Sequence, residues 1–196
     1  FSYMQDAPLD MRMDRTQALT AAEIVNTWEK DALRKVLFEY GEERYAPLIA
    51  AAIVRQREQS PIHTTGELVQ VIRRAMPAAG LREKQHPAKR TFQAIRIAVN
   101  DELGAVREAM DKAIAALHPG GRLAVITFHS LEDRIVKEAF RQAAQSCTCP
   151  RDFPVCVCGK KPQVKIVTRK PIMPGAGEIQ DNARARSAKL RVCEKL

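Results

Sequence analysis

The residues best equipped for chemistry stand together at His129, Ser130, Glu132, Asp133 and Arg134, directly after the apolar run Leu123-Ala124-Val125-Ile126-Thr127-Phe128. The run is short, continuous and β-branched at three positions, the pattern of a strand covered on both faces. Leu131, Ile135, Val136, Ala139 and Phe140 then fall at helical spacing, which predicts a helix over 131–145. In an open α/β sheet a strand that feeds a helix presents ligand sites at its carboxyl end. His129 can accept a proton or hydrogen-bond a substrate there, and Ser130 can cap the helix while facing the site. Asp133 and Arg134 are read as capping and pairing locally. A lone histidine at a strand end is often structural, but the polar neighbours favour a site for this cluster as a whole.

A second cluster is Cys147-x-Cys149 with Cys156-x-Cys158, separated by a Pro-bounded loop. In a reducing compartment four thiols this close favour a tetrahedral zinc site over disulfides. The CxC turn is tighter than the usual ligand turn, so free or redox-sensitive thiols stay open as the alternative. Cys193 stands alone in a strand candidate and is read as core.

These groups need elements to position them. Residues 1–15 read as an ordered loop. Thr20-Ala21-Ala22-Glu23 and Thr64-Thr65-Gly66-Glu67 both carry the capping-box pattern. Between them Ile24, Val25 and Trp28 form one apolar stripe, Leu33, Val36 and Leu37 a second that Gly41 stops, and Leu48, Ile49, Ala52, Ile53 and Val54 a third. Four short helices are therefore expected up to Met76, with Trp28, Phe38, Tyr40 and Tyr45 in their core. A basic loop over 78–86 leads to a helical region over 88–117 that bends near Gly104. Pro119-Gly120-Gly121 turns into the apolar strand, and the alternation in 164–168 and 188–192 predicts a closing antiparallel pair.

Composition sets the class. Of 196 residues, 45% are hydrophobic, enough for a core, and 32 Lys and Arg face 23 Asp and Glu for a net charge of +9. From Cys147 onward 11 basic residues face 4 acidic ones, so this last quarter carries +7 of that excess. Such a tail suits a polyanionic partner, or is merely a soluble basic surface. No apolar run is long enough for a membrane span and no secretory signal opens the chain, so a cytoplasmic protein is expected. Phe1 starts inside what looks like a motif, so the chain is expected to be the C-terminal part of a longer protein.

The stretch Ile126-Thr127-Phe128-His129-Ser130-Leu131-Glu132-Asp133-Arg134-Ile135-Val136-Lys137 closely resembles the strand-to-helix segment of the RsmH (MraW) family. Three further segments agree in the same order: Phe1–Met4 through Pro8–Asp14, then His86–Arg96, then Asn182–Arg191. Lys89 replaces a smaller polar residue of that family's pattern, and Ala183 stands where many relatives have Pro. The resemblance implies S-adenosylmethionine-dependent methylation of N4 of a cytidine in the decoding region of 16S rRNA, within the small ribosomal subunit or its precursor. It also implies an α/β fold: the second half of a Rossmann-like methyltransferase domain with an inserted all-helical domain. On that reading 1–16 form an active-site loop, 17–85 the insertion and 86–196 the C-terminal half of the catalytic domain, with the cofactor site upstream of Phe1.

The exocyclic amine of cytosine is a poor nucleophile because its lone pair is delocalised into the ring. Catalysis therefore needs alignment with a sulfonium methyl and acceptors for the amine N–H groups, with no covalent nucleophile. The resemblance makes Asp10, His129 and Ser130 the catalytic candidates, with Arg12 and Asp14 lining the cytidine pocket. A scaffold role for the Asp10–Asp14 segment is the alternative. Lys89, Arg90, Asn182, Arg184, Arg186 and Lys189 are the candidates for RNA contact, with Arg96 among the basic positions of the same helix. A half sheet would expose an apolar edge, leaving the chain catalytically silent alone and prone to associate, a homodimer included. The rival reading is a non-catalytic, zinc-stabilised RNA-binding module.

Overall fold

The computed structural model describes residues 3–150 and 155–196. Phe1 and Ser2 of the first family-like segment lie outside the described residues, as do residues 151–154 of the cysteine loop. The chain divides into two compact units at Glu102.

The first unit is helical: α1 (Ala21–Thr27), α2 (Lys30–Gly41), α3 (Ala46–Gln59), α4 (Thr65–Ala75), the single turn α5 (Ala78–Leu81) and α6 (Lys89–Asn100). Four helices before Met76 are as expected. At α4 the Thr64 hydroxyl accepts from Glu67 N–H while the Glu67 carboxylate accepts from Thr64 N–H, a complete capping box. At α1 only the hydroxyl half forms, Thr20 accepting from Glu23 N–H at 3.1 Å. Each helix buries one stripe. Ile24 and Val25, Leu33 and Leu37, Ile49 and Ile53, Leu68 and Ile72, and Phe92 and Ile95 meet in one core.

Gly41 ends α2 without taking a left-handed turn; that conformation falls to Glu42, with φ 49°. Gly41 is needed for a different reason. A Cβ there would lie 2.6 Å from the carbonyl oxygen of Arg90, so the backbones of α2 and α6 approach too closely for any side chain. Phe38 corrects another expectation. It is 64% exposed, because Leu33 and Leu37 already take the inward face of α2 and Phe38 points away from it.

The N-terminal segment is ordered, as expected, and belongs to this unit. Pro8 bridges Thr64 in antiparallel fashion, Leu9 N–H donates to His63 O at 2.9 Å, and Leu9 and Met11 are buried. Tyr3 stacks on His86 with ring centroids 4.7 Å apart. Helical packing thus continues through Glu102, past the boundary at 85.

The second unit contains most of α7 (Glu102–Ala116), then β1 (Arg122–Thr127), α8 (Ser130–Ala143), β2 (Val164–Ile166), α9 (Ala176–Asp181), a 3₁₀ turn (Ala183–Ser187) and β3 (Lys189–Lys195). The break between α6 and α7 is at Asp101, left-handed with φ 45°, while Gly104 sits within α7. The sheet order is β1-β3-β2, with β3 antiparallel to both neighbours. The expected closing antiparallel pair is therefore present. Gly120, with φ 79°, makes the turn into β1, and Gly120 N–H and Gly121 O bond to Lys195 at the end of β3.

Met110 and Ile114 of α7, Val136 and Phe140 of α8, Val164 and Cys193 form this unit's core. The expectation that β1 is covered on both faces does not hold. Exposure alternates along it, and Ile126 is 58% exposed, because the helices of this unit cover only one face. Among the described residues no helix is long and apolar enough to cross a membrane.

Candidate functional site

The loop before α1 is organised around Arg12. Its Nε and Nη2 donate to the two carboxylate oxygens of Asp10 at 2.7 and 2.9 Å, and its Nη1 donates to Arg15 O and Gln17 O. Four of its five N–H groups are thereby engaged within one short turn. Met11 between them is left-handed with φ 62°, a strained conformation for a side chain with a Cβ. Asn100 holds it there: its amide donates to Met11 O at 2.8 Å while its carbonyl accepts from Met13 N–H at 2.7 Å.

The Arg12 guanidinium, hydrogen-bonded to Asp10, holds that carboxyl down to about 2. Asp10 is thus a poor proton acceptor at neutral pH but a permanently ionised hydrogen-bond acceptor, and its side chain keeps 41% of its exposure. Asp14 accepts from the hydroxyl and N–H of Thr16, which together lower its pKa.

At the end of β1 the helix cap is His129 rather than Ser130. The Nδ1 of His129 accepts from Glu132 N–H at 3.4 Å, and Glu132 Oε2 accepts from Phe128 N–H at 2.9 Å and His129 N–H at 3.3 Å. An imidazole nitrogen thus does what a Ser or Thr oxygen does in an ordinary capping box. With Nδ1 accepting, the ring proton of neutral His129 is assigned to Nε2, which lies 3.3 Å from Glu132 Oε1. Ser130 is the first residue of α8 and is exposed.

Asp133 does not pair locally. Its carboxylate receives a fork from Arg191 on β3, Nε at 2.6 Å and Nη2 at 3.0 Å, and Lys189 Nζ lies 3.5 Å away. Both Asp133 and Arg191 are buried. The Arg191 hydrogen bonds hold the Asp133 pKa below the usual carboxylate range against its own burial. Periodicity marks position 133 only as a polar interruption of the helix, and a partner 58 residues away leaves no local signal.

The basic candidates divide into exposed and engaged residues. Lys89 is exposed in the first turn of α6. Arg90 Nη1 lies 3.5 Å from Glu83, which also pairs with Arg44, and Arg96 forks onto Glu102 at 2.7 and 2.9 Å. Asn182 caps the 3₁₀ turn, its Oδ1 accepting from Arg184 N–H at 3.1 Å. Arg184 and Arg186 are exposed on either side of buried Ala185.

Two surfaces are not legible in the sequence. A groove of about 610 Å³ in the second unit has Phe140 and Ile166 as its wall, with Lys137, Arg141, Lys165 and Arg169 among its lining residues. In the first unit exposed Phe38 shares a groove of about 620 Å³ with Arg34, Lys35 and Arg44. The Phe140 groove sets an apolar surface beside cations, a combination that suits nucleic acid, whereas the Phe38 groove also has Asp31 and Glu39 in its lining, with Arg34 3.3 Å from Asp31.

The four clustered cysteines do converge. Sγ–Sγ separations are 3.5 Å for Cys156–Cys158, 3.8 Å for Cys147–Cys158 and 4.0 Å for Cys149–Cys156. The N–H groups of Thr148 and Lys160 and the Cys156 thiol lower Cys158 to about 5. Cys147 receives the N–H of Cys149, yet its neighbouring thiols and burial push it up to about 12. Cys193 is buried in the sheet core, and burial raises its pKa.

Comparison with known proteins covers the whole chain. The MraW methylase family matches residues 1–196. A protein of Symbiobacterium thermophilum named Ribosomal RNA small subunit methyltransferase H is 61% identical over 196 residues, all of this chain and 62% of the relative. Proteins of the same name from Brevibacillus brevis and Carboxydothermus hydrogenoformans are 57% and 58% identical over the whole chain, which covers 62% and 63% of them. The chain therefore spans somewhat under two thirds of the length of these relatives. On the strength of a match that runs from its first residue to its last, the chain belongs to the MraW methylase family.

Proposed function

We propose that this chain is the C-terminal portion of a cytoplasmic rRNA methyltransferase that acts on N4 of a cytidine in 16S rRNA of the small ribosomal subunit. The observation that carries the reading is the end-to-end family match, together with relatives at 57–61% identity named as small-subunit rRNA methyltransferases. Within it, residues 17–85 are a helical insertion, 1–16 an active-site loop and 86–196 the closing part of a Rossmann-like catalytic domain. The order β1-β3-β2, with an antiparallel strand between the other two, supports that placement.

S-adenosylmethionine supplies the methyl group in this reading. Among the described residues no strand-to-helix turn fits its cradle. The one described strand that feeds directly into a helix is β1, and the turn after it carries no glycine; His129 and Glu132 already satisfy backbone N–H groups at the start of α8. Gly120-Gly121 enters a strand instead of leaving one for a helix. The cofactor site is therefore assigned to the remainder of the longer relatives.

What these residues can do is accept and orient. Asp10, ionised and fixed by Arg12, is suited to accept an N–H of the target amine, so that electron density returns to nitrogen. Arg12 is a positioning residue for it, and Asn100 positions the strained turn. At the sheet end Ser130 offers an exposed hydroxyl, whereas both ring nitrogens of His129 face Glu132, Nδ1 accepting its N–H and Nε2 lying 3.3 Å from its carboxylate, and Asp14 lines the same loop as Asp10. Lys89, Arg90, Asn182, Arg184, Arg186 and Lys189 would hold the RNA backbone, with Lys89, Asn182, Arg184 and Arg186 exposed and Arg90 and Lys189 half-buried.

The test joins the chain to the remainder of the Symbiobacterium relative and supplies radiolabelled S-adenosylmethionine with small ribosomal subunits. Label confined to one 16S cytidine, at N4 by mass spectrometry of the nucleoside, is the expected result; label on another base or on protein overturns the reading. Calorimetry of the 196-residue chain alone should show no saturable cofactor binding, and tight binding would place the cofactor site within it.

A further inference from the structure

The segment between α8 and β2 leaves and rejoins the second unit at one place. Gln163 N–H donates to Ala143 O at 2.7 Å and Lys160 Nζ to Gln142 O at 3.1 Å, closing the base of an excursion that contains all four clustered cysteines. Beyond that base the described residues offer no core to hold it. Val155 and Val157, apolar side chains among its described residues, are 70% and 73% exposed. Described residues that bury so little apolar surface gain a single conformation from a cross-link.

The four thiols supply one. Their Sγ atoms all lie within 4.8 Å of one another, although they come from two Cys-x-Cys pairs on opposite arms. Three of the six separations are 3.5, 3.8 and 4.0 Å, far above the roughly 2.05 Å of a disulfide. They are close to the edge of about 3.8 Å that a tetrahedron with metal–sulfur bonds of about 2.3 Å requires. Backbone N–H groups point at the sulfurs as well: Thr148 N–H at Cys158, Cys149 N–H at Cys147 and Val157 N–H at Cys149, at 3.3 to 3.4 Å. Such donors stabilise sulfur that carries negative charge and have little to gain from neutral thiols.

We infer that Cys147, Cys149, Cys156 and Cys158 bind one structural zinc ion that clamps the excursion between α8 and β2. Zinc fits because all four donors are cysteine sulfurs, which become thiolates on binding it, and four such ligands complete a tetrahedron with no place left for a water, the mark of a closed structural site rather than a catalytic one. Four thiolates around a divalent ion leave a charge of −2, and Lys160 and Lys161 follow directly to offset it. Nothing in this geometry depends on the methylation reading.

The chain purified without chelator and dialysed against metal-free buffer should carry one zinc per molecule, and a Cys156→Ser/Cys158→Ser double variant none. Replacing zinc with cobalt(II) in the unaltered chain should give the sulfur-to-cobalt charge-transfer band and intense ligand-field bands of a tetrahedral thiolate site. That measurement stands even if the double variant fails to fold. Thiol titration of the folded chain should show the four cysteines protected until zinc is removed. Metal-free folded protein with four reactive thiols and no cobalt spectrum overturns the proposal, as do disulfides among these cysteines or bound iron in place of zinc.

Discussion

The two units reach order by different routes. The helical unit closes on itself: Ile24, Leu37, Ile49, Ile53, Ile72 and Ile95 are fully buried, and the N-terminal segment folds onto them through Leu9 and Met11. The sheet unit has a smaller apolar cluster, leaves Ile126 and Phe128 exposed, and adds a buried Asp133–Arg191 ion pair and a thiol cluster, whereas the first unit's interior is mainly hydrocarbon with Glu43, Thr65 and Thr91 among it. Among the described residues β1 pairs with β3 along one edge only. A helix bundle needs no neighbour to complete its backbone hydrogen bonds, whereas a three-stranded sheet keeps an open edge. Local sequence can therefore specify the first unit, while the second depends on long-range polar pairings.

The sharpest way to break that contrast is Arg191→Ala. It leaves the buried Asp133 carboxylate with only Lys189 Nζ, 3.5 Å away, in place of the Arg191 fork, and should cost up to about 3–5 kcal/mol in urea unfolding followed by circular dichroism. A cost under about 1 kcal/mol would show that the pair does not hold α8 to β3. Replacing both partners, Asp133→Leu with Arg191→Met, should recover most of the loss, because burial without charge carries no desolvation penalty. The matching test in the helical unit is Leu37→Ala, expected to cost about 2–5 kcal/mol through reduced burial and the residual cavity. There the single tryptophan, Trp28, reports the transition.

Acid should separate the units further. Burial and the nearby Arg73 lower the pKa of His86, so the helical unit binds fewer protons folded than unfolded at that site. The stability this contributes is present above the unfolded value, about 6.5, and lost as pH falls through the lower folded value. The Arg191 hydrogen bonds lower Asp133 from an already acidic value of 3.8, so its contribution is lost only below that. Trp28 fluorescence should therefore report declining stability of the helical unit as pH falls below about 6.5, before the Asp133 pair is affected. A flat response in that window would show that His86 protonates without cost.

How much of the molecule is legible in its sequence follows from the range of each interaction. Thr64 with Glu67, the paired apolar positions of α2 to α4, the strand at 122–127 and the antiparallel closing pair all lie within short windows of sequence. The failures are long-range or sterically specific. Spacing assigns Asp133 a local partner because its true partner, Arg191, is in another element. Gly41 reads as a helix stop, although the close approach of Arg90 is what requires it. Phe38 reads as core only if aromaticity is weighed above its place around α2. At the candidate site, sequence singles out the loop at 10–14 but not that Arg12 is engaged within it while Asp10 keeps exposure. That division depends on Asn100, Arg15 and Gln17, which no spacing rule connects.

The basic surface offers a test in which stability should barely move. Replacing Arg184 and Arg186 with Ala leaves the buried Ala185 and the Asn182 cap in place. Binding of small-subunit rRNA should weaken, and its log–log salt slope should shrink by roughly 0.7 to 0.9 for each phosphate no longer neutralised. Lys189 and Arg191 are expected to contribute less to that slope than their charges suggest, because both face Asp133. An unchanged slope would remove the 3₁₀ turn from the RNA-facing surface.

The smallest stability effect should come from Phe38→Ala, the neighbour in sequence of fully buried Leu37. At 64% exposure Phe38 contributes little buried area, so the change should stay within about 0.5 kcal/mol while Leu37→Ala costs several times more. A loss near that of Leu37→Ala would mean that Phe38 is covered in solution, restoring the core role its aromaticity predicts. If stability is unchanged, RNA binding becomes informative: stacking of a base on the exposed ring beside Arg34 and Lys35 is worth roughly 1–3 kcal/mol, at least a fivefold loss of affinity on truncation. Affinity that stays within twofold would leave Phe38 a surface residue with neither role.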